Sequence, residues 1–174
     1  CGGAAIPRKL VIDAKEILGC AISAGWGMTE NALVTLNNMD DPDEKVCGTD
    51  GCVLKGMEVK VVDDEGKELP VGEEGELLSR GPAHFAGYFK RRQLTEGEFT
   101  KDGWFKTGDR AIMDEDGYIS ISGRSKDIII RGGENIPVVE VENILHKHPK
   151  VKQVAIVGMP DERLQERGCA YIVL

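Results

Sequence analysis

The spacing of apolar residues changes texture three times along the chain. In the first stretch Leu10/Val11, Ala14 and Ile17/Leu18 recur at helical spacing behind Pro7, a residue suited to a first helical position, and Gly19 follows as the stop. This predicts a short amphipathic helix, with a strand over 20–24 after it. Preceded by Cys1-Gly2-Gly3-Ala4-Ala5, which reads as a strand end entering a tight turn, the order strand, turn, helix, strand is that of an α/β layer. Residues 25–30 then lie just past the carboxyl end of a strand, where open sheets of this kind place their ligand loops.

From about Val46 the apolar segments become short and alternating. Strands are predicted over 57–62, 75–80, 110–113 and 118–122, the last with Ile119 and Ile121 on one face and Tyr118, Ser120 and Ser122 on the other; Asp63-Asp64-Glu65-Gly66-Lys67 reads as a turn. After Gly123-Arg124-Ser125-Lys126 the texture changes again. A strand over 127–131, a turn at Gly132-Gly133-Glu134-Asn135, a helix carrying Val138, Val141, Ile144 and Leu145, and strands over 153–159 and 170–174 are expected. The fold class is therefore α/β plus β-barrel plus α+β. Residues 1–45 are expected to end an α/β subdomain, 46–125 to form a small β-barrel or sandwich, and 126–174 to open an α+β domain. Both ends read as cut, one starting without Met and the other stopping inside an apolar run.

Composition narrows the function classes. With 174 residues and 41% hydrophobic content the chain can bury a sizeable core. A net charge of -8 disfavours nucleic acid and anionic lipid, which need clustered Lys and Arg. The five cysteines are an odd number and scattered, which suits reduced thiols in the cytoplasm. Cys47 and Cys52 are spaced more widely than zinc pairs usually are, and no nearby pair would complete a site. No apolar run approaches the roughly 20 residues of a membrane span.

Three segments carry candidate chemistry. Gly25-Trp26-Gly27-Met28-Thr29-Glu30 starts like a dinucleotide fingerprint but has Glu at the sixth position, where close helix packing needs Gly. It offers glycines for close backbone approach, a flat Trp for a purine, a hydroxyl for phosphate and a carboxylate for magnesium. Trp104-Phe105-Lys106-Thr107-Gly108-Asp109 sets a carboxylate after a glycine, the acceptor a ribose diol needs. Gly123-Arg124 supplies a guanidinium for phosphate or ribose. Taken singly, each is matched by a plainer reading: a glycine turn with a packing Trp, an Asp capping a turn, a solvated Arg. Asp114-Glu115-Asp116-Gly117-Tyr118-Ile119 lacks the ligand order of a calcium loop and reads as a hairpin turn; Arg131-Gly132-Gly133-Glu134 lacks the Lys-Ser/Thr ending of a phosphate loop.

The joint order of Gly-Gly-Ala-Ala, GWGMTE, WFKTGD, DGYISISGRSKDIIIRGGENI and VEVEN resembles the adenylate-forming enzymes, the acyl- and aryl-CoA synthetases with their luciferase and peptide-synthetase relatives. The texture is most similar to fatty-acid or cyclic-carboxylate CoA ligases. The resemblance implies the C-terminal part of the large domain and the start of a small mobile domain, with ATP, Mg2+ and CoA as the small molecules used beside a carboxylic acid. It assigns ATP/AMP binding to Gly3, Ala4, Ala5, Gly25, Trp26, Gly27, Met28, Thr29, Asp109, Ile121 and Arg124. Thr29 and Glu30 would meet the α-phosphate and its Mg2+. Lys126 would be the hinge, Gly132, Gly133 and Glu134 the loop at the CoA tunnel, and Glu140 part of the acidic element that follows. The family's Pro-Lys-Gly phosphate loop would lie upstream of residue 1 and its adenylating lysine beyond Leu174, so the chain by itself is expected to be inactive. The alternatives are a domain that loads a carrier protein and a non-catalytic nucleotide-binding module.

Overall fold

The computed structural model describes residues 8–124 and 128–174, apart from the side chains of 8–10 and 135. In chain order the elements are α1 (Arg8–Leu18), β1 (Gly27–Met28), β2 (Ala32–Leu33), β3 (Thr35–Leu36), α2 (Asp43–Gly48), β4 (Cys52–Val53), β5 (Glu58–Val62), β6 (Glu74–Arg80), α3 (Arg92–Gly97), β7 (Phe105–Met113), β8 (Ile119–Arg124), β9 (Ile128–Arg131), β10 (Glu134–Pro137), α4 (Val138–His146), β11 (Gln153–Asp161) and β12 (Gln165–Val173). They divide into two compact units. One comprises the described residues up to Thr107 with Ala111–Ile121, and the other Gly108–Arg110 with the described part of Ser122–Leu174.

In the first unit α1 turns Val11 and Ala14 inward and stops at Gly19, whose φ of +63° is the left-handed conformation of a helix end. Ile17 and Leu18, expected on the buried stripe, are instead exposed. Among the described residues no strand is assigned over 20–24, where one was expected; there Ala24 N–H donates to Asn37 Oδ1 at 3.1 Å, Asn37 N–H to Ala24 O at 2.8 Å and Ser23 Oγ to Asn37 O at 2.7 Å.

Beyond these lie the two-stranded sheets β1-β2 and β3-β4, and an antiparallel sheet of order β5-β6-β7-β8 in which Val61 faces Leu77 across the β5/β6 pair. Its alternation is legible in the burial of Phe105, Thr107, Asp109 and Ala111 along β7. Trp26, Val34, Val61, Leu77, Ala111 and Ile119 form the core, with Met28, Met57 and Ile121 packed against it. A small β-barrel or sandwich was expected here, and this part of the fold is an open sheet and not a closed barrel. Closure needs the first and last strands to pair, whereas β5 and β8 stand at opposite edges. The β8 edge is covered by the segment after α2: Ile119 N–H donates to Gly51 O at 3.0 Å and Asp50 N–H to Ile119 O at 2.7 Å.

The β7–β8 connection is the expected hairpin turn, Asp114 N–H donating to Tyr118 O at 3.0 Å. Lys45 of α2 holds this turn through Asp114 (2.6 Å) and Asp116 (2.7 Å). In the second unit the order is β10-β9-β12-β11, with Ile129 and Ile156 buried. Glu142 fastens α4 to β11 by accepting the Ile156 N–H at 2.8 Å. Among the described residues no helix is long and apolar enough to cross a membrane.

Candidate functional site

Gly25 and Gly27 are required by the chain's own packing. A Cβ at Gly27 would stand 1.9 Å from Ala32 O, and one at Gly25 would stand 2.7 Å from Thr35 O. The closeness expected toward a ligand is thus used by β2 and β3, which lie against these glycines. Trp26 between them is only 8% exposed and belongs to the core, its N–H donating to Thr35 Oγ1 at 3.1 Å. At that exposure it offers less than the open stacking face its flat shape suggested.

The turn that follows carries the exposed Thr29 and the half-exposed Glu30. Asn31, fully buried, closes it: its Oδ1 accepts the Met28 N–H at 2.9 Å, and its Nδ2 donates to Ser79 Oγ at 3.2 Å. Ala32 then adopts φ +53°, the left-handed residue that ends a three-residue hairpin loop. Glu30 is reached from a distant part of the chain. The Tyr88 hydroxyl donates to its Oε1 at 2.9 Å, and the Phe85 N–H donates to its carbonyl at 2.7 Å. Burial and then the Glu30 carboxylate push the Tyr88 phenol up to about 12.

Sequence reasoning missed Asn31, Ser79 and Tyr88. Their partners lie 48 and 58 residues away, and local spacing carries no such signal. Among the described residues no three His, Cys, Asp or Glu side chains gather to hold a metal. A single carboxylate on an open turn nevertheless fits Mg2+, which is commonly bound by one or two carboxylates together with substrate phosphates.

Within the second unit Asp109 follows Gly108, whose φ is +72°, and is 3% exposed. Arg124, at the end of β8, donates from Nε to its Oδ1 at 3.1 Å. A carboxylate withdrawn from water is costly without such a partner, so the two candidates form one charged unit. Ile121, in the first unit, packs against the core and donates its N–H to Asp50 Oδ2 at 2.8 Å. Gly132 and Gly133 form a two-residue turn between β9 and β10 with φ of +62° and +88°. It is shorter than expected, because Glu134 and Asn135 already pair with Arg131 and Ile130. Glu140 is exposed on the first turn of α4. Gly3, Ala4, Ala5 and Lys126 lie outside the described residues.

A profile of the AMP-binding enzyme family matches residues 1–89, and one of the AMP-binding enzyme C-terminal domain matches 140–174. A medium-chain fatty-acid–CoA ligase of Escherichia coli (strain K12) is 49% identical over 174 residues, 100% of this chain and 31% of that protein. A 2,3-dihydroxybenzoate-AMP ligase of Bacillus subtilis (strain 168) is 40% identical over 173 residues, 99% of this chain and 32% of that protein. The crystal structure of ATP-bound MatB from Rhodopseudomonas palustris superposes with a TM-score of 0.90 at 35% identity, covering 98% of this chain and 34% of that one. The chain thus spans roughly a third of the length of these relatives. By family profiles, identity and fold it belongs to the AMP-binding, adenylate-forming enzymes and corresponds to a C-terminal part of them.

Proposed function

We propose that the protein containing this chain activates a carboxylic acid, fatty or cyclic, with ATP to give acyl-AMP and pyrophosphate, and then passes the acyl group to the thiol of CoA with release of AMP. The observation that carries this reading is Asp109, a buried carboxylate held by Arg124, in the motif where the family resemblance assigns the ribose hydroxyls. In this reading Asp109 orients the ribose and Arg124 holds the Asp109 carboxylate in place. Trp26 and Ile121 bound the adenine, with Gly3, Ala4 and Ala5 assigned to its other side, and Thr29 donates to the α-phosphate. Glu30 holds the Mg2+ that comes with the nucleotide; when bound, the metal offsets charge building up on the phosphoryl oxygens. Residues 1–45, 46–125 and 126–174 serve as successive subdomains. Lys126 is the hinge, and the Gly132-Gly133-Glu134 turn is a wall of the CoA path in the second half-reaction.

The likeness to the fatty-acid–CoA ligase over the whole chain supports the thioester product. The likeness to an aryl-AMP ligase supports a second reading, in which the adenylate is handed to a carrier protein. Four cysteines of the described residues are free thiols, in keeping with work in the cytoplasm.

Replacing Asp109 with Ala in the whole protein tests the assignment. Hydrogen bonds to a charged acceptor contribute roughly 1.5 to 3 kcal/mol each, so ATP affinity should fall about 10- to 100-fold. Affinity for the carboxylic acid should stay within about twofold, since Asp109 has no part in holding it. An equal loss for both substrates would contradict the ribose role.

A further inference from the structure

We propose that Tyr88 is a positioning residue for Glu30, holding that carboxylate in the orientation from which it takes up the metal accompanying the nucleotide. This rests on the reading of Glu30 given above. Glu30 sits on a three-residue turn and is half exposed, so its long side chain has rotamer freedom to lose before it can serve as a fixed ligand. The Tyr88 hydroxyl removes that freedom by donating to Oε1 at 2.9 Å, leaving Oε2 without a hydrogen bond from the described residues.

The hydroxyl is delivered by a segment anchored independently of the Glu30 side chain. Tyr88 N–H donates to Thr95 Oγ1 at 2.9 Å, and Arg91 N–H donates to Tyr88 O at 3.0 Å. The Tyr88 ring meets Phe85 edge to face at 4.9 Å, and Phe85 in turn packs on Phe105 at 5.7 Å. Gly87 adopts φ +135°, and a Cβ there would stand 2.7 Å from the Thr95 methyl, so a side chain at this position would push the segment off α3. Carboxylates that bind metal ions are characteristically oriented by such hydrogen bonds, and removing the outer partner typically weakens metal affinity about 10- to 100-fold.

The test is Tyr88→Phe in the whole protein, which keeps the ring against Phe85 and deletes only the hydroxyl. Mg2+ is titrated calorimetrically into protein saturated with a non-hydrolysable ATP analogue, and AMP binding is measured separately in the presence of chelator. The expected result is Mg2+ affinity about 10-fold weaker with metal-free AMP binding unchanged. Glu30→Gln should weaken Mg2+ binding at least as much, and adding Tyr88→Phe to it should bring little further loss, since the two residues act as one unit. Wild-type Mg2+ affinity in Tyr88→Phe, beside a weakened Glu30→Gln, would remove Tyr88 from this role and leave the reading of Glu30 standing. Unchanged affinity in Glu30→Gln would overturn that reading and the proposal with it. An equal loss of Mg2+ and metal-free AMP binding would mark Tyr88 as merely structural and overturn the proposal.

Discussion

His84 packs beside the rings of Phe99 and Phe105, with centroids 6.0 and 5.6 Å away, and its Nε2 is 3.0 Å from Ser79 Oγ. Burial lowers its pKa below the usual histidine value, so the folded protein holds it neutral where the unfolded chain would already take up a proton. The stability this contributes is complete above the unfolded value of about 6.5 and is lost as pH falls through the lower folded value. Denaturant midpoints measured between pH 7.5 and pH 5 should therefore fall on the acid side. In His84→Gln that part of the slope should vanish, and a slope identical to wild type would contradict the assignment. Asn31, one step along the same chain of contacts, should matter at every pH. Asn31→Ala removes the acceptor of the half-buried Met28 N–H and one of the two partners of the buried Ser79 hydroxyl, which keeps His84, and should cost roughly 1 to 3 kcal/mol in a denaturant titration. A loss below about 0.5 kcal/mol would mean that the turn bearing Thr29 and Glu30 is held by other contacts.

The β9–β10 hairpin shows what local sequence dictates at the scale of an element. Two positive φ values in a two-residue turn demand residues without a Cβ penalty, and Gly132-Gly133 meets that demand. Gly133→Val should destabilise the hairpin by about 1 to 2 kcal/mol. On the proposed role of this turn it should also suppress thioester formation while sparing carboxylate-dependent pyrophosphate exchange; an equal fall in both would detach the turn from the CoA step. Elements governed by such local rules were legible in the sequence: the Gly19 stop of α1, the 114–118 hairpin turn, and the alternation of Ile119 and Ile121. What was not legible depended on partners remote in the chain. Among the described residues the segment 20–24 is tied to Asn37, 13 residues on from Ala24, and the β8 edge is met by Asp50 and Gly51 rather than by β5. Likewise Ile17 and Leu18 fit a helical stripe, yet burial ends at Ala14.

For the molecule as a whole, motif order carried the identification while geometry revised the individual roles. Gly25-Trp26-Gly27 stands out in the sequence as a candidate site because of its composition, but the clearance its glycines provide goes to Ala32 and Thr35, and its Trp is largely core. Asp109 was legible from its motif, and its burial against Arg124 fits the function proposed for it. Tyr88 could not be found from spacing, because the contact that gives it meaning spans 58 residues. The central claim is that the protein containing this chain joins a carboxylate to AMP and then to CoA. Its most direct measurement is AMP release by the whole protein against a panel of medium-chain, cyclic and aromatic carboxylic acids, with and without CoA, alongside acid-dependent pyrophosphate exchange. The account predicts exchange with fatty or cyclic acids in the absence of CoA, and stoichiometric AMP and acyl-CoA once CoA is added. Exchange with AMP release that stays dependent on a carrier protein and indifferent to CoA would contradict the thioester step, and no acid-dependent exchange across a panel this broad would contradict the claim itself.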